Sequence, residues 1–363
     1  MTRPTGSVVR QVLVGAAAHD AITNIALEVA ANLGLDESGS LHSWFEPDQS
    51  VADRITHISK ADCGSEGDLL IYHLSYGIPE LTKWLLGRPE RIIIWYHNVT
   101  PASYYNGIAP EFAAGLEHGR REIDLLRNRS ILAFADSKFN ALELAERGYQ
   151  DVVVASPRIS VDRLNDVGAD CGILEQVWEQ FPQGFLLAVS QLLPHKRADH
   201  AVAIAHLLRK YHGVQVGVVW AGPARQPVYR RAIVEFQQRL NEPGFVMLDV
   251  VSDSELAALY RACICFVGFS EHEGLSLPPL EAMANRAPVV VRAGGAIPET
   301  VGDGALLVST DVGLLEFSEI LAHVIHSAET RSMLRRKGAS HLQKFGQNSS
   351  FARVATLIKA CTI

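Results

Sequence analysis

The sequence lacks the cysteine patterns that staple small secreted domains or bind zinc. Its 363 residues include five scattered cysteines and no CxxC pair, so we predict neither a disulfide framework nor a zinc knuckle. A long hydrophobic run is also missing. The apolar stretch before His19 and Asp20 is too short for a membrane span and lacks a signal-peptide pattern, so we expect a cytoplasmic protein. The 33 basic and 40 acidic residues give a net charge of −7, which argues against a nucleic-acid partner.

Hydrophobic residues make up 48% and charged residues 20% of the chain, which is typical of a globular protein. At roughly 150 residues per domain, the length predicts two domains. Short β-branched runs alternate with amphipathic helical stretches, which indicates parallel sheets covered by helices on both faces. The predicted strands are 11–14, 41–45, 69–73, 92–96, 131–135 and 152–155 in the first half, and 185–190, 214–221, 245–251, 263–267, 288–292 and 305–308 in the second.

The alternation of predicted strands and helices weakens between Arg158 and Gly184, and we place the connection between the two domains there. We predict two Rossmann-like doubly wound α/β domains, 1–170 and 171–340, facing across a cleft. Residues 341–363 form a last helix that is expected to cross back to the first domain. In open α/β sheets, ligands bind beyond the carboxyl ends of the strands, so residues that directly follow strands are the candidates for chemistry.

One segment combines several signals after a buried strand. It reads Ser270-Glu-His-Glu-Gly-Leu-Ser-Leu-Pro-Pro-Leu-Glu-Ala-Met-Ala284, and a helix is predicted from about Leu277. Unpaired backbone N–H groups before that helix, near Leu275 and Ser276, favour an anion. Glu273 precedes the helix, whereas Glu281 lies about one turn into it.

This string, with Pro288-Val-Val, Gly294-Gly295 and Glu299 following in order, resembles the E-x7-E donor signature of the family-4 retaining glycosyltransferases, which have the GT-B fold. The resemblance implies that Glu273 contacts the donor-sugar hydroxyls and that Glu281 binds the nucleotide ribose. The simpler alternative is a capped helix start with a solvated Glu281.

A second segment, Ser190-Gln-Leu-Leu-Pro-His-Lys-Arg197, resembles the GRLxPxKG loop of the same family, whose Arg and Lys bind the donor diphosphate. Lys196 takes the Lys position, but Gln191 stands where the family has Arg. Glutamine cannot supply a charge-assisted fork, so we expect Arg197 or Arg225 to compensate or phosphate binding to be weaker. The alternatives are a surface lysine and a plain loop glutamine.

A third segment, Trp95-Tyr-His-Asn-Val-Thr-Pro101, resembles the YHN.TP turn found in a subset of these enzymes. That likeness implies that His97 reaches the donor sugar, with Asn98 beside the acceptor. The simpler alternative is a histidine satisfied by neighbouring backbone groups. His73 also follows a strand and is expected on the acceptor side.

Two further loops follow strands. Gly15 lies in a loop that, by resemblance, closes over the donor phosphates; it carries no GxGxxG fingerprint. Asp20 in that loop is either a helix N-cap or, with His19 as the other candidate, an acceptor-side base. Val251 follows a strand where family members seat the base through backbone groups.

The resemblance implies a retaining transferase that moves a hexose-type sugar from a nucleotide-sugar to an acceptor hydroxyl on a glycan, a lipid-linked or a small molecule. The catalytic candidates are His97, Lys196 and Glu273. We expect no metal or other cofactor because no DxD-type cluster is present. The alternatives are an epimerase or phosphorylase on the same fold, or a non-catalytic binding descendant. The apolar residues 81–86 could make a weak peripheral membrane contact, although core packing explains them better.

Overall fold

The computed structural model describes residues 7–18, 20–35, 37–156, 164, 167–347 and 351–362. The chain forms two compact units. The first comprises Met1–Ser103, Pro110–Arg158 and Asn348–Ile363, and the second comprises Tyr104–Ala109 and Ile159–Gln347.

The first unit is built on a parallel sheet of seven strands with the order β3-β2-β1-β4-β5-β6-β7. The strands are Val9–Leu13 (β1), Leu41–Ser43 (β2), Thr56–His57 (β3), Leu69–Leu74 (β4), Arg91–Tyr96 (β5), Ser130–Ala135 (β6) and Val153–Val154 (β7). The helices are Ala21–Leu33 (α1), Glu37–Ser40 (α2), Pro79–Leu86 (α3), Pro110–Leu126 (α4) and Lys138–Glu146 (α5). The two-residue strand β3 is absent from the sequence prediction because it is too short to show any alternation.

The second unit is built on a parallel sheet of six strands with the order β10-β9-β8-β11-β12-β13. Its strands are Phe185–Val189 (β8), Gly217–Ala221 (β9), Phe245–Leu248 (β10), Cys265–Gly268 (β11), Val289–Arg292 (β12) and Leu306–Val308 (β13). Its helices are Gly172–Gln180 (α6), Ala198–Tyr211 (α7), Pro227–Leu240 (α8), Asp253–Ala262 (α9), Pro278–Ala284 (α10), Ile297–Val301 (α11), Leu314–His326 (α12) and Ala328–Gln347 (α13). The helix Phe351–Ala360 (α14) belongs to the first unit.

Alternating side chains of the second sheet point into two separate cores. In β8, Leu186 and Ala188 lie in a cluster with Ala201 of α7, whereas Phe185 and Leu187 lie in a cluster that includes α9. Because successive strand residues point to opposite faces, helices must cover both sides. The doubly wound α/β prediction is confirmed for both units.

The division between the units lies elsewhere than residues 170 and 340. Leu164 is buried in the core shared by α6 and α9, and the backbone N–H of Asp170 donates to Ser254 O at 3.2 Å. These contacts hold the segment before α6 in the second unit. At the other boundary, α13 runs unbroken past residue 340, so the return to the first unit follows that helix.

In each sheet the strand order reverses beside its first strand, between β1 and β4 and between β8 and β11. The carboxyl ends of such strand pairs are where open α/β sheets bind ligands. Each unit therefore has one such position, where a bound ligand is expected.

Candidate functional site

In the second unit, two loops flank the reversal of strand order. Residues 190–197, the lysine loop, follow β8, and residues 269–277, the glutamate loop, follow β11. Both strands are parallel neighbours, so their carboxyl ends meet at one edge of the sheet. The backbone N–H of Glu271 donates to His195 O at 2.9 Å, which joins the two loops directly.

Lys196 and Glu273 form an ion pair across these loops. Lys196 Nζ lies 2.5 Å from Glu273 Oε1, and the side chains are 16% and 9% exposed. Two residues predicted from separate motifs, 77 positions apart, are thus brought together. An ammonium group has three N–H donors, so this contact leaves Lys196 able to donate to further oxygens.

Two glycines allow the glutamate loop to pack closely on the segment after β12. A Cβ at Gly294 would lie 2.3 Å from Ser270 O, and one at Gly295 would lie 2.4 Å from Glu273 O. Gly295 also has φ +56°, a conformation that side-chain-bearing residues rarely adopt. The N–H of Ala296 then donates to Glu273 O at 2.8 Å. The backbone of Glu273 is therefore held by the segment 294–296, whose close approach requires glycine at Gly294 and Gly295.

Arg197 does not extend toward the position left by Gln191. Its guanidinium pairs with Asp199, with Nη2 2.7 Å from Oδ2, and with Glu271. Gln191 and Arg225 are both exposed. The Arg197 guanidinium is therefore bound by carboxylates of the protein. That Arg197 or Arg225 replaces the phosphate-binding arginine missing at Gln191 stays a prediction.

Glu281 lies on α10, which begins at Pro278 as the sequence predicts. Its Oε2 accepts a hydrogen bond from the buried Tyr260 hydroxyl at 3.1 Å. Leu275 and Ser276 immediately precede the helix. Val251 is half-buried just before α9, which begins with a capping box on Ser252. None of these placements conflicts with a ligand, and their ligand roles stay predictions.

The first unit holds a buried polar chain at its own reversal of strand order. His73 Nε2 lies 2.9 Å from Gln11 Oε1, and His73 Nδ1 lies 2.8 Å from His97 Nε2. His97 Nδ1 lies 2.8 Å from Asp136 Oδ2, and Trp95 Nε1 donates to Asp136 Oδ1 at 2.8 Å. β1, β4, β5 and the end of β6 thus contribute one chain of side chains.

The partners of His73 define which of its ring nitrogens carries the proton. Gln11 Nε2 donates to Ala26 O at 2.8 Å, so Gln11 Oε1 faces His73 and His73 Nε2 must donate. Burial and the nearby His97 lower the pKa of His73 well below its usual value, so the ring is neutral and its Nδ1 accepts. His97 Nε2 therefore donates to His73, and the Nδ1 atom of His97 lies against the Asp136 carboxyl group.

Both ring nitrogens of His97 are therefore engaged by the protein, and its side chain is 1% exposed. A sugar hydroxyl would have to replace one of these partners, so the role implied by the resemblance stays a prediction. The partners are side chains rather than the backbone groups that the simpler alternative assumed.

Among the remaining candidates of the first unit, Asp20 and Asn98 have local structural roles. Asp20 caps α1 by accepting from the Thr23 N–H at 2.9 Å, which confirms its N-cap alternative. Asn98 has φ +76°, and its side-chain amide donates to Asn140 at 2.9 Å. Gly15 is exposed with open space around it. His19 lies outside the described residues.

The apolar stretch on α3 is largely core. Leu81 and Leu85 are fully buried, and the Arg88 guanidinium covers the Trp84 ring at 4.5 Å, so the membrane-contact prediction gains no support from these side chains. Within the described ranges, no helix is both long and apolar enough to span a bilayer. The same residues contain no group of three or more His, Cys, Asp or Glu side chains arranged to hold a metal.

Sequence reasoning missed the residues that hold the candidates in place. Tyr260, Glu271 and Asp199 contact Glu281 and Arg197, and Asp136 contacts His97. Ser137, the next residue, caps α5 by accepting from the Asn140 N–H at 3.1 Å. Their position in the sequence could have indicated two of these residues, because Asp136 directly follows β6 and Glu271 lies shortly after β11.

Residues 178–341 match the family model described as "Glycosyl transferases group 1". O-antigen chain mannosyltransferase B of Escherichia coli is 26% identical over 72% of this chain and 68% of its own length. A lipopolysaccharide core biosynthesis mannosyltransferase, LpsB of Rhizobium meliloti, is 30% identical over 40% of this chain and 41% of its own. The serotype-specific mannosyltransferase WbdA of E. coli is 27% identical, but the match spans only 28% of its length.

Solved structures agree on the fold. HepE of Anabaena, in complex with UDP-glucose, superposes with a TM-score of 0.70 at 13% identity, covering 96% of this chain and 99% of its own. The trehalose-6-phosphate synthase OtsA has a TM-score of 0.70 at 12% identity, covering 98% of each chain. Together with the match to the family model and the mannosyltransferase relatives, these likenesses show that the protein is a glycosyltransferase with the GT-B fold.

Proposed function

We propose that the protein is a retaining glycosyltransferase that moves a hexose from a nucleotide-sugar to a hydroxyl group of a glycan acceptor, without a metal ion. The Lys196–Glu273 pair carries this proposal. Relatives named mannosyltransferases make mannose the first donor sugar to test, and the UDP-glucose complex of HepE makes glucose the second.

The pair matches the two chemical halves of a sugar diphosphate. A carboxylate accepts hydrogen bonds from sugar hydroxyls, and an ammonium group donates to phosphate oxygens. With Nζ and Oε1 only 2.5 Å apart, Glu273 can hold the sugar while Lys196 holds the phosphate attached to it. The backbone N–H groups of Leu275 and Ser276 would add donors to the same phosphates.

Glu281 is proposed to bind the ribose. Its Oε2 accepts from Tyr260, which orients the carboxylate, and a carboxylate has further lone pairs for a ribose hydroxyl. Glu281 lies about one turn into α10, whereas Glu273 lies in the loop before that helix.

In the proposed reaction, the bond between the anomeric carbon and the leaving phosphate oxygen breaks. The acceptor oxygen bonds to that carbon on the same face, and its proton passes to the leaving phosphate. Negative charge develops on the diphosphate, and fixed donors aimed at developing charge are the main source of catalysis in such sites. Lys196 is the side chain proposed to supply that stabilisation.

A melting-temperature screen with GDP-mannose, UDP-glucose and their free diphosphates tests donor binding, because a ligand that binds only the folded form raises stability. Transfer to a glycan acceptor is then followed by product analysis in EDTA. We expect one donor to bind, the diphosphate to be released, and the anomeric configuration to be kept. Donor binding without turnover would favour the non-catalytic alternative, and sugar isomerisation or phosphorolysis would favour the other enzymes. Activity that is lost in EDTA and restored by magnesium would contradict metal independence.

A further inference from the structure

Arg197 combines an unusual backbone conformation with a side chain that bonds to two carboxylates. It has φ +59° and ψ +53°, the left-handed conformation, directly before α7. Residues with a side chain rarely adopt this conformation, because it brings Cβ too close to the following carbonyl oxygen. Such strain persists where the surroundings hold the residue in place, and here the surroundings are two carboxylates.

The guanidinium joins the two loops at a second point. Its Nε and Nη2 donate to Asp199 at 3.0 and 2.7 Å, and its Nη1 donates to Glu271. The Tyr104 hydroxyl also bonds to Glu271, and the Tyr229 hydroxyl donates to Asp199 at 3.3 Å. Both acids are therefore oriented by more than the arginine.

This ion pair lies beside the Lys196–Glu273 pair. Consecutive residues of the lysine loop, Lys196 and Arg197, bind alternate residues of the glutamate loop, Glu273 and Glu271. The 2.9 Å bond between Glu271 N and His195 O completes the connection. Three adjacent contacts thus set how the two loops lie against each other.

We propose that Arg197 is a positioning residue, which acts through Glu271 to hold Lys196 and Glu273 in register. The inference rests on the proposed function for its effect on turnover. In this proposal Arg197 acts through Glu271 rather than on the substrate, since its Nε, Nη1 and Nη2 atoms each donate to Glu271 or Asp199. Displacing a catalytic group by about 1 Å can cost up to a hundredfold in rate, so the register of the loops matters more than their stability.

Arg197→Gly is the sharpest variant, because glycine keeps the left-handed backbone at no steric cost and removes only the side chain. Lys344→Ala is the matched control, since it removes an exposed ion pair with Asp303 elsewhere in the second unit. We expect Arg197→Gly to lower kcat about tenfold with little change in melting temperature or in affinity for the free diphosphate. Arg197→Lys should recover part of kcat, and Lys344→Ala should match the wild type.

Glu271→Gln and the double variant distinguish positioning from direct phosphate binding. If Arg197 acts through Glu271, the double variant is no slower than Arg197→Gly alone. If Arg197 instead binds phosphate, Glu271→Gln frees the guanidinium and tightens diphosphate binding, and Arg197→Gly weakens it; that pattern would overturn the proposal.

Hydrogen exchange of the backbone gives a readout that does not depend on turnover. Faster exchange in both 190–197 and 269–277 is expected for Arg197→Gly and not for Lys344→Ala. Unchanged exchange and unchanged kcat would each overturn the positioning role. A wild-type protein that transfers no sugar would refute the proposed function alone, and the exchange measurement would still decide the role of Arg197.

Discussion

In the Lys196–Glu273 pair, the carboxylate bound by Lys196 resembles the phosphate that Lys196 is proposed to bind. An ammonium group that holds a carboxylate at 2.5 Å is already set in the orientation needed to donate to a phosphate. Neither side chain is free to rotate widely, because the Lys196 and Glu273 side chains are only 16% and 9% exposed. The backbone of Glu273 is also fixed by its hydrogen bond from the Ala296 N–H. Such pre-orientation lowers the ordering cost of binding.

The two glutamates of the motif should have separable effects. Glu281→Ala is expected to weaken binding of the free nucleoside diphosphate by about 1.5–3 kcal/mol, the range for a hydrogen bond to a charged group. Glu273→Ala should mainly lower turnover, because its proposed partner is the sugar. Calorimetric titration and steady-state kinetics measure the two quantities, with the exposed Glu316 mutated to alanine as control. Wild-type affinity in Glu281→Ala would show that the ribose assignment is wrong.

Asp136 accepts from Trp95 on one carboxyl oxygen and contacts His97 Nδ1 with the other. Asp136→Asn can keep only one of these oxygens, and we expect a loss of about 1–3 kcal/mol of stability, the cost of disturbing a buried hydrogen bond. Urea unfolding measures this loss. Asp124→Asn, at a carboxylate that is 52% exposed, should change stability little. Equal stability of both variants would show that the contacts of the Asp136 carboxyl group do not stabilise the first unit.

At the scale of elements, strand positions were largely predictable and side-chain partners were not. β8 and β12 appear within a residue or so of their predicted bounds because each is a continuous apolar run ended by turn residues. β3 was missed because two residues carry no period. The pairing of His97 with Asp136, 39 positions away, depends on which strands lie side by side, and local sequence does not determine that.

The helix α4 carries a carboxyl group that should make the first unit sensitive to pH. Burial raises the pKa of Glu122 to about 7 from 4.5, although hydrogen bonds from Thr82 and Tyr72 oppose that rise. The folded state therefore holds this proton more tightly than the unfolded state. Its contribution to stability is fully present below about pH 4.5 and is lost as the pH rises toward about 7.

Glu122→Gln keeps a neutral partner for Thr82 and Tyr72 and removes the titration. We expect the unfolding free energy of the variant to lose this fall between about pH 4.5 and 7, a difference of up to about 3 kcal/mol. Urea unfolding at several pH values measures it, with the exposed Glu117 changed to glutamine as control. A pH profile identical to that of the wild type would show that Glu122 is not the buried acid responsible.

At the scale of the whole molecule, both units place their polar clusters where the strand order reverses. In the second unit this gives the Lys196–Glu273 pair between β8 and β11, and in the first it gives the chain that starts from Gln11 and His73 between β1 and β4. The net charge of −7 says nothing about these positions. The proposed diphosphate site therefore depends on local cations beside acids rather than on an overall basic surface.

The last helix completes the first unit although it follows the second unit in sequence. Val354 and Ile358 of α14 are buried in the core formed by β1, β4, β5 and α1, and Arg91 donates to Cys361 O at 2.6 Å. Ile358→Ala removes a fully buried side chain and should destabilise the first unit by about 2–5 kcal/mol. Lys359→Ala, at an exposed neighbouring position, should have little effect. Urea unfolding followed by hydrogen exchange locates the loss. If exchange rises in the strands of the second unit and not in β4 and β5, then α14 does not stabilise the unit into which it packs.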